Sequence, residues 1–244
     1  MRQLFFFRFP SNIQVIPNFA PKSLKLFTVK KRLFFFLSFC CFGQLTQAQT
    51  MQDLFQESNV PFYWFGIDFS HVQLIASIAQ TEESGEKNAD LLKNKYFKGW
   101  NNLFIYEADK YNVSEMLHKK KVEVNLEPIT KINNEANVEQ MEVTKETHYT
   151  ADEIKEFVKN YDFGVKEGIG VFFLAECLNK PLEHGIYHVV FINLENNEVL
   201  LTQSITGETG GFGVRNYYAK SYLNVMESIQ KSYYKKWKKL YFGK

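Results

Sequence analysis

The chain has 244 residues, of which 45% are hydrophobic and 16% aromatic, with 29 Lys and Arg against 27 Asp and Glu. This composition excludes an intrinsically disordered chain, which combines low hydrophobicity with high net charge, and it excludes collagen-like and disulfide-dense scaffolds. A length of 244 residues suits one compact domain with an appendage.

The appendage is at the amino terminus, where the first 48 residues carry seven basic residues and no acidic residue. The basic cluster VKKR precedes a largely apolar run of 11 residues, Leu33 to Gly43, and a short polar stretch follows. This order is typical of a secretory signal peptide, and the run is shorter than the roughly 20 residues of a spanning helix. The sequence therefore predicts three segments: an extension ahead of the true start at 1–28, a signal peptide at 29–48 that is cleaved after Ala48, and one exported globular domain at 49–244.

Removal of the leader changes the charge and the cysteine count. The remaining chain has 22 basic and 27 acidic residues, a net charge of −5, so a nucleic-acid partner is not expected. Cys177 is then the single cysteine, which excludes an intrachain disulfide and a cysteine-based zinc site. We expect no cofactor and a periplasmic or extracellular location. Lipidation of Cys40 is an alternative, but Phe39 stands where a lipobox has a small residue.

The first half of the mature chain predicts alternating strands and helices. The aromatic run Phe62 to Ser70 is typical of a buried strand. The following HVQLIASIA either extends this strand or forms a new one. Apolar residues at three- and four-residue steps after Ala89 predict a helix, and Asn112 can cap a second one. KVEVNLEPI predicts a half-exposed strand, and residues 132–149 predict a polar surface excursion.

The second half gives stronger patterns. Thr150 and Glu153 form a capping-box pattern that predicts a helix, and the continuously apolar segment Gly168 to Cys177 predicts a central strand covered on both faces. A hairpin and a long helix from Arg215 to about Leu240 follow. Together these elements predict an α+β (mixed α/β) fold, a single domain with a mixed sheet of about five strands, helices packed on it and a long C-terminal helix.

Candidate catalytic residues are Asp68, Ser70 and His71, at the end of the first strand, where sites often lie in α/β sheets. A hydrogen-bonded strand-end cluster is the alternative, because strand alternation separates His71 from the other two and the chain has no G-x-S-x-G elbow. His184 and His188 would lie about 13 Å apart along one strand, so we expect structural roles for them and no metal site.

A glycine-rich segment, GETGGFG, precedes the C-terminal helix. Backbone N–H groups at Gly210, Gly211 and Gly213, with the charge of Arg215, could bind an anion. A tight connection that requires positive φ explains the glycines without a ligand and is the favoured interpretation.

The C-terminal end interleaves lysines with aromatic residues. Lys235, Lys236, Trp237, Lys238 and Lys239 could contact an anionic membrane or a glycan. The alternative is a packed aromatic stripe flanked by solvated lysines.

Three segments, WFGIDFSHVQLI, GIGVFFLAECLNK and GETGGFGVRNYY, resemble an uncharacterised family of secreted proteins from Bacteroidetes bacteria. The element order and the strand pair ending in NNEVLLT are similar to small α/β domains of envelope accessory proteins. The resemblance implies export and no particular activity. We therefore expect an exported, non-catalytic cell-envelope protein that binds another envelope component. The alternative is a periplasmic hydrolase that uses Asp68, Ser70 and His71, with the glycine-rich loop holding an anionic substrate group.

Overall fold

The computed structural model describes residues 51–55, 59–76 and 88–242, which belong to the compact unit Thr46–Lys244. The predicted signal peptide and its cleavage site after Ala48 lie outside the described residues. In the described part of the chain, no helix has both the length and the apolar character needed to cross a bilayer.

Strands and helices alternate in the first part of the chain, and three long strands precede the last helices. The strands are β1 Phe62–Asp68, β2 Gln73–Ile75, β3 Glu123–Val124, β4 Glu142–Val143, β5 Ile169–Asn179, β6 His184–Asn193 and β7 Glu198–Glu208. The α-helices are α1 Met51–Phe55, α2 Asn88–Leu91, α3 Lys98–Asn101, α4 Leu103–Tyr106, α5 Val113–Met116, α6 Glu127–Glu135, α7 Ala151–Val158, α8 Gly213–Ser228 and α9 Tyr234–Phe242. Two π-helical turns, Leu92–Phe97 and Ile229–Tyr233, and a 3₁₀ turn, Val138–Gln140, complete the helical segments.

Strand β5 is the centre of one mixed sheet. One edge of β5 pairs antiparallel with β6, which pairs antiparallel with β7. The other edge pairs parallel with β1 along its first half and parallel with β2 near its end, so β1 and β2 lie end to end. The short strands β3 and β4 extend this side by pairing with β1 and β2. The mixed sheet with helices packed on it confirms the predicted fold class.

The two faces of the sheet bury separate cores. Val171 and Phe173 of β5 contribute to the larger core, beneath α1–α5, α8 and α9. Phe172 and Leu174 contribute to the smaller core, beneath α6 and α7. All four side chains are fully buried, which confirms the prediction of a central strand covered on both faces.

The structure confirms two predicted helices, the one that begins after Thr150 and the long C-terminal one. The Thr150 side chain accepts a hydrogen bond from Glu153 N, and the Glu153 carboxylate accepts one from Thr150 N at 2.8 Å, which forms the capping box of α7. Helices α8 and α9 continue through the π turn between them as the long C-terminal helix, with Tyr222 and Ile229 on its buried side.

The segment between β3 and α7 differs from the prediction. Residues 132–149 contain the end of α6, the 3₁₀ turn and β4 rather than an irregular excursion, and KVEVNLEPI contributes only the two residues of β3 to the sheet. Pro128 lies in the first turn of α6, where a helix does not need its missing N–H group. Only Ile129 and Asn133 of α6 are buried, so the apolar stripe that would indicate a helix is too thin to recognise.

Candidate functional site

The candidate site lies where the chain leaves the sheet between β1 and β2. A tight turn connects these two strands, with Val72 N donating a hydrogen bond to Phe69 O at 3.1 Å. The turn follows the carboxyl end of β1 and precedes β2, beside the middle of β5, with which both strands pair in parallel. Ligands of open α/β sheets bind outside the carboxyl ends of the strands.

Two asparagine side chains hold the end of β1. Asn101 Oδ1 accepts from Ile67 N at 2.6 Å, and Ile67 O accepts from Asn101 Nδ2 and from Asn133 Nδ2, each at 2.9 Å. Phe69 N donates to Asn133 Oδ1 at 2.7 Å. Gly66, with φ +98°, permits this arrangement, because a Cβ there would collide with Asn101 Oδ1. Side-chain amides thus replace the sheet partners that the backbone loses here.

Asp68 is the buried acid of the site. Its Oδ1 accepts from Ser70 N at 2.8 Å and its Oδ2 accepts from the Tyr161 hydroxyl at 2.6 Å. The residue is fully buried. Burial and the adjacent carboxylate raise the pKa of Tyr161, so the phenol stays protonated and donates to Asp68.

His71 lies against aromatic side chains. Its ring stacks on Phe157 with centroids 3.8 Å apart and planes inclined by 9°. The Tyr149 hydroxyl donates to His71 O at 2.8 Å. Burial lowers the pKa of His71, and the charge of Asp68 opposes this only in part, so the imidazole is neutral at neutral pH.

The predicted catalytic residues Asp68, Ser70 and His71 are neighbours, but they do not form a nucleophilic relay. Ser70 Oγ is buried, and no histidine or carboxylate among the described residues accepts a hydrogen bond from it. The carboxylate of Asp68 accepts from Ser70 N and from Tyr161. An activated serine requires a base within hydrogen-bond reach of its hydroxyl. The geometry favours the hydrogen-bonded strand-end cluster over the hydrolase.

A groove of about 1240 Å³ opens beside this turn, between it, α6 and residues 160–164. Ser70 and His71 lie at one wall, and Tyr149 and Tyr161 contribute aromatic surface. Carboxamide side chains are frequent in the lining: Asn125, Asn134, Asn137, Gln140 and Asn160. The groove therefore combines hydrogen-bonding groups that both donate and accept with partly exposed aromatic rings.

A second polar cluster surrounds Glu176, which occupies a β-bulge of β5. Its Oε2 lies 2.6 Å from His188 Nε2 and accepts from Tyr149 N at 2.8 Å, while its Oε1 lies 2.8 Å from His148 Nδ1. Burial alone would raise the pKa of Glu176, but these hydrogen bonds outweigh burial and lower it. The hydrogen bond between His148 and Glu176 raises the pKa of the exposed His148.

His184 belongs to a different carboxylate. Glu146 Oε2 lies 3.2 Å from His184 Nε2 and accepts from Asn179 Nδ2 at 3.0 Å, with Cys177 Sγ 3.7 Å away. Burial and the charge of Glu146 raise the pKa of Cys177 to about 12, so the thiol is protonated and not a nucleophile. Within the described residues, no three His, Cys, Asp or Glu side chains are arranged to hold a metal ion.

The glycine-rich segment has several structural roles. Gly207 belongs to β7, and a Cβ there would collide with the carbonyl oxygen of Ser221 on α8, so this glycine permits close helix–sheet packing. Gly211 and Gly213 have φ of +98° and +79°, which confirms the prediction of positive φ in the loop.

Arg215 is not brought to the candidate site. Its Nη2 donates to Glu107 Oε1 at 2.7 Å, and its carbonyl oxygen accepts from Trp100 Nε1, on the α3 side of the sheet. Groove residues Tyr149 and Tyr161 instead pack on the opposite core, beneath α6 and α7. Asp68, His71 and Arg215 therefore do not converge as the hydrolase hypothesis requires.

Sequence reasoning did not find Tyr161, Asn133, Glu146 or Glu176 as parts of polar clusters. Tyr161 falls in the apolar spacing of the helix that the sequence predicts after Thr150, and Asn133 and Glu146 fall in the predicted polar excursion. A signal for Glu176 exists, because it is an acid within a continuously apolar strand and therefore needs partners.

Comparison of the chain with protein-family models, with curated proteins and with solved structures gives no match.

Proposed function

We propose that the protein is an exported, non-catalytic binding module of the cell envelope, and that its ligand occupies the groove beside the β1–β2 turn. The groove carries this proposal. It lies at the carboxyl ends of the parallel strands β1 and β3, and the buried contacts of Asn101, Asn133 and Asp68 fix the backbone at the end of β1. A preformed wall lowers the entropy cost of binding.

The lining favours a neutral, hydroxyl-rich ligand, namely a sugar chain of the envelope. Each carboxamide both donates and accepts hydrogen bonds, as each sugar hydroxyl does. Among the charged residues of the lining, Glu127, Glu135 and Asp162 outnumber Lys131, so an anionic ligand would be repelled. The rings of Tyr149 and Tyr161 offer apolar area to the C–H face of a sugar ring.

Titration with neutral oligosaccharides tests the ligand. We expect saturable binding by calorimetry, weakened about tenfold or more in the double variant Asn134→Ala and Asn160→Ala, because two hydrogen-bonding side chains are lost. Both residues are exposed, so the fold should persist. Asn196→Ala, in the exposed β6–β7 turn, is the matched control and should bind as the parent does.

Two results would contradict this proposal. One is that none of the neutral oligosaccharides used in the titrations shows saturable binding. The other is ester or amide hydrolysis that Ser70→Ala abolishes, which would favour the hydrolase instead.

Export is tested separately in the native host. The charge asymmetry and apolar run of residues 1–48 support cleavage before Gln49. We expect N-terminal sequencing to find chains that begin near Gln49 in the envelope or the medium. Intact Met1 in the cytosolic fraction would contradict export without affecting the groove.

A further inference from the structure

Two basic segments that lie far apart in the sequence are neighbours in the fold. His118, which precedes three lysines, is hydrogen-bonded to Gln230 O at 2.8 Å, and its ring centroid lies 4.5 Å from that of Tyr234. Lys238 follows Tyr234 by four residues and therefore shares its helix face. Lys119 and Lys238 are close enough for the charge of Lys238 to act on the Lys119 ammonium group.

The environment of Lys119 agrees with this placement. Its ammonium group lies 4.3 Å from the centroid of the Phe62 ring, at the first residue of β1. Burial lowers the pKa of Lys119 to about 8, a shift that Asp53 opposes and the charge of Lys238 increases. The basic segments thus meet at the amino end of β1.

Helix α9 separates its aromatic and basic residues. Tyr234 and Trp237 are buried, and the Trp237 ring lies 5.9 Å from that of Phe191 in β6. Trp237, expected from the sequence as a contact residue, is therefore unavailable to a partner. The four lysines of α9 are exposed and form no ion pair with any described carboxylate: Lys235, Lys236, Lys238 and Lys239.

Exposed apolar area adjoins these lysines. Leu240 is 73% exposed and follows Lys236 by four residues, so the two side chains are neighbours on the helix. Tyr241, 44% exposed, lies at the same end of α9. We name the exposed set Lys120, Lys235, Lys236, Lys238, Lys239 and Leu240 the basic surface.

We infer that the basic surface docks the protein on a membrane that contains anionic phospholipids, with Leu240 entering the interface. Lysines next to an exposed leucine match a negatively charged headgroup layer above hydrocarbon. A nucleic acid or sulfated glycan has no hydrocarbon layer into which Leu240 could insert. This inference goes beyond the groove, which lies at the opposite end of β1.

Vesicle flotation tests the docking. The full chain is mixed with vesicles of one part phosphatidylglycerol to about three parts phosphatidylethanolamine, or with phosphatidylcholine vesicles. We expect binding to the anionic vesicles only, with salt weakening it. Replacement of the four α9 lysines by Gln should weaken binding about 100-fold or more, and Leu240→Ser should weaken it about fivefold.

A matched control removes the same charge elsewhere. Lys145, Lys155, Lys159 and Lys166 are exposed, and Lys155 and Lys159 belong to α7, which packs on the opposite face of the sheet from α9. Their replacement by Gln should leave binding unchanged. Thermal unfolding of each variant checks the fold. Equal binding by the parent and the α9 variant would overturn the inference. The inference would also be overturned, in favour of a polyanion, if the protein bound heparin or DNA as tightly as the vesicles and Leu240→Ser left that affinity unchanged.

Discussion

The turn after β1 and the glycine-rich connection before α8 both follow strands and both carry polar residues, yet they are built differently. At the β1 turn, Asn101, Asn133 and Tyr161 direct their polar atoms inward onto buried groups. At the glycine-rich connection, Arg215 points outward to Glu107 at the surface. The comparison teaches that a polar motif indicates a binding site only when its side chains converge on one buried framework beside a cavity.

Gly66→Ala should have the largest effect, because it attacks the framework of the β1 turn. The new Cβ requires a strained positive φ and displaces Asn101, which leaves the Ile67 backbone unpaired. We expect a loss of roughly 3 kcal/mol in the free energy of unfolding, measured with urea. Gly99→Ala is the control, since a Cβ at Gly99 in α3 meets nothing within 4 Å. Equal stability of the two variants would contradict this role of the hydrogen bonds between Asn101 and Ile67.

Asp68→Asn should lower the free energy of unfolding by less than Gly66→Ala does. The amide oxygen of the new side chain still accepts from Ser70 N, although the charge is lost. We expect a loss of roughly 2 kcal/mol. Since the charge of Asp68 raises the pKa of His71 against burial, the His71 pKa should fall further in this variant, as measured by NMR titration. Stability should then decline as the pH falls below the unfolded pKa of His71. An unchanged His71 pKa would show that the two side chains do not interact.

Gly211→Ala tests the glycine-rich connection itself. With φ of +98° at Gly211, an alanine should cost roughly 1 kcal/mol. Gly210→Ala should be nearly neutral, because its φ is not positive and its Cβ would meet only Lys220 Cγ, at 3.6 Å. If thermal unfolding showed equal losses for both, positive φ would not explain the glycines.

Arg215→Ala should have the smallest effect. The ion pair with Glu107 is partly exposed, so its removal should cost less than about 1 kcal/mol. Glu107→Gln, which removes the other partner, should cost a similar amount. Phosphate and sulfate should shift the unfolding temperature of the parent and the variant equally. A saturable shift of the unfolding temperature that requires Arg215 would instead establish an anion site in the glycine-rich connection, which would then be a binding site as well.

Much of the fold could be predicted because its causes are local. The apolar segment of β5 and the capping box of α7 require only neighbouring residues to be recognised. Helix α6 could not be predicted, since its buried face consists of few side chains and one of them, Asn133, is polar.

The site could be predicted only as a position. The end of the first strand was visible as the cluster Asp68, Ser70 and His71, but its partners come from residues 30 or more positions away, such as Asn101 and Tyr161. Likewise, the neighbourhood of Lys119 and Lys238 depends on the docking of α9, which no local pattern encodes.

The shared hydrogen-bond acceptor at Ile67 has a consequence for how the molecule opens. Its carbonyl oxygen binds amides from α3 on one face of the sheet and from α6 on the other. Exposure of this peptide group to solvent therefore requires both helical layers to separate, which couples them into one cooperative unit. In native-state hydrogen exchange, the amides of Ile67 and Phe69 should exchange only through global unfolding, whereas the exposed edge of β7 should exchange through smaller fluctuations.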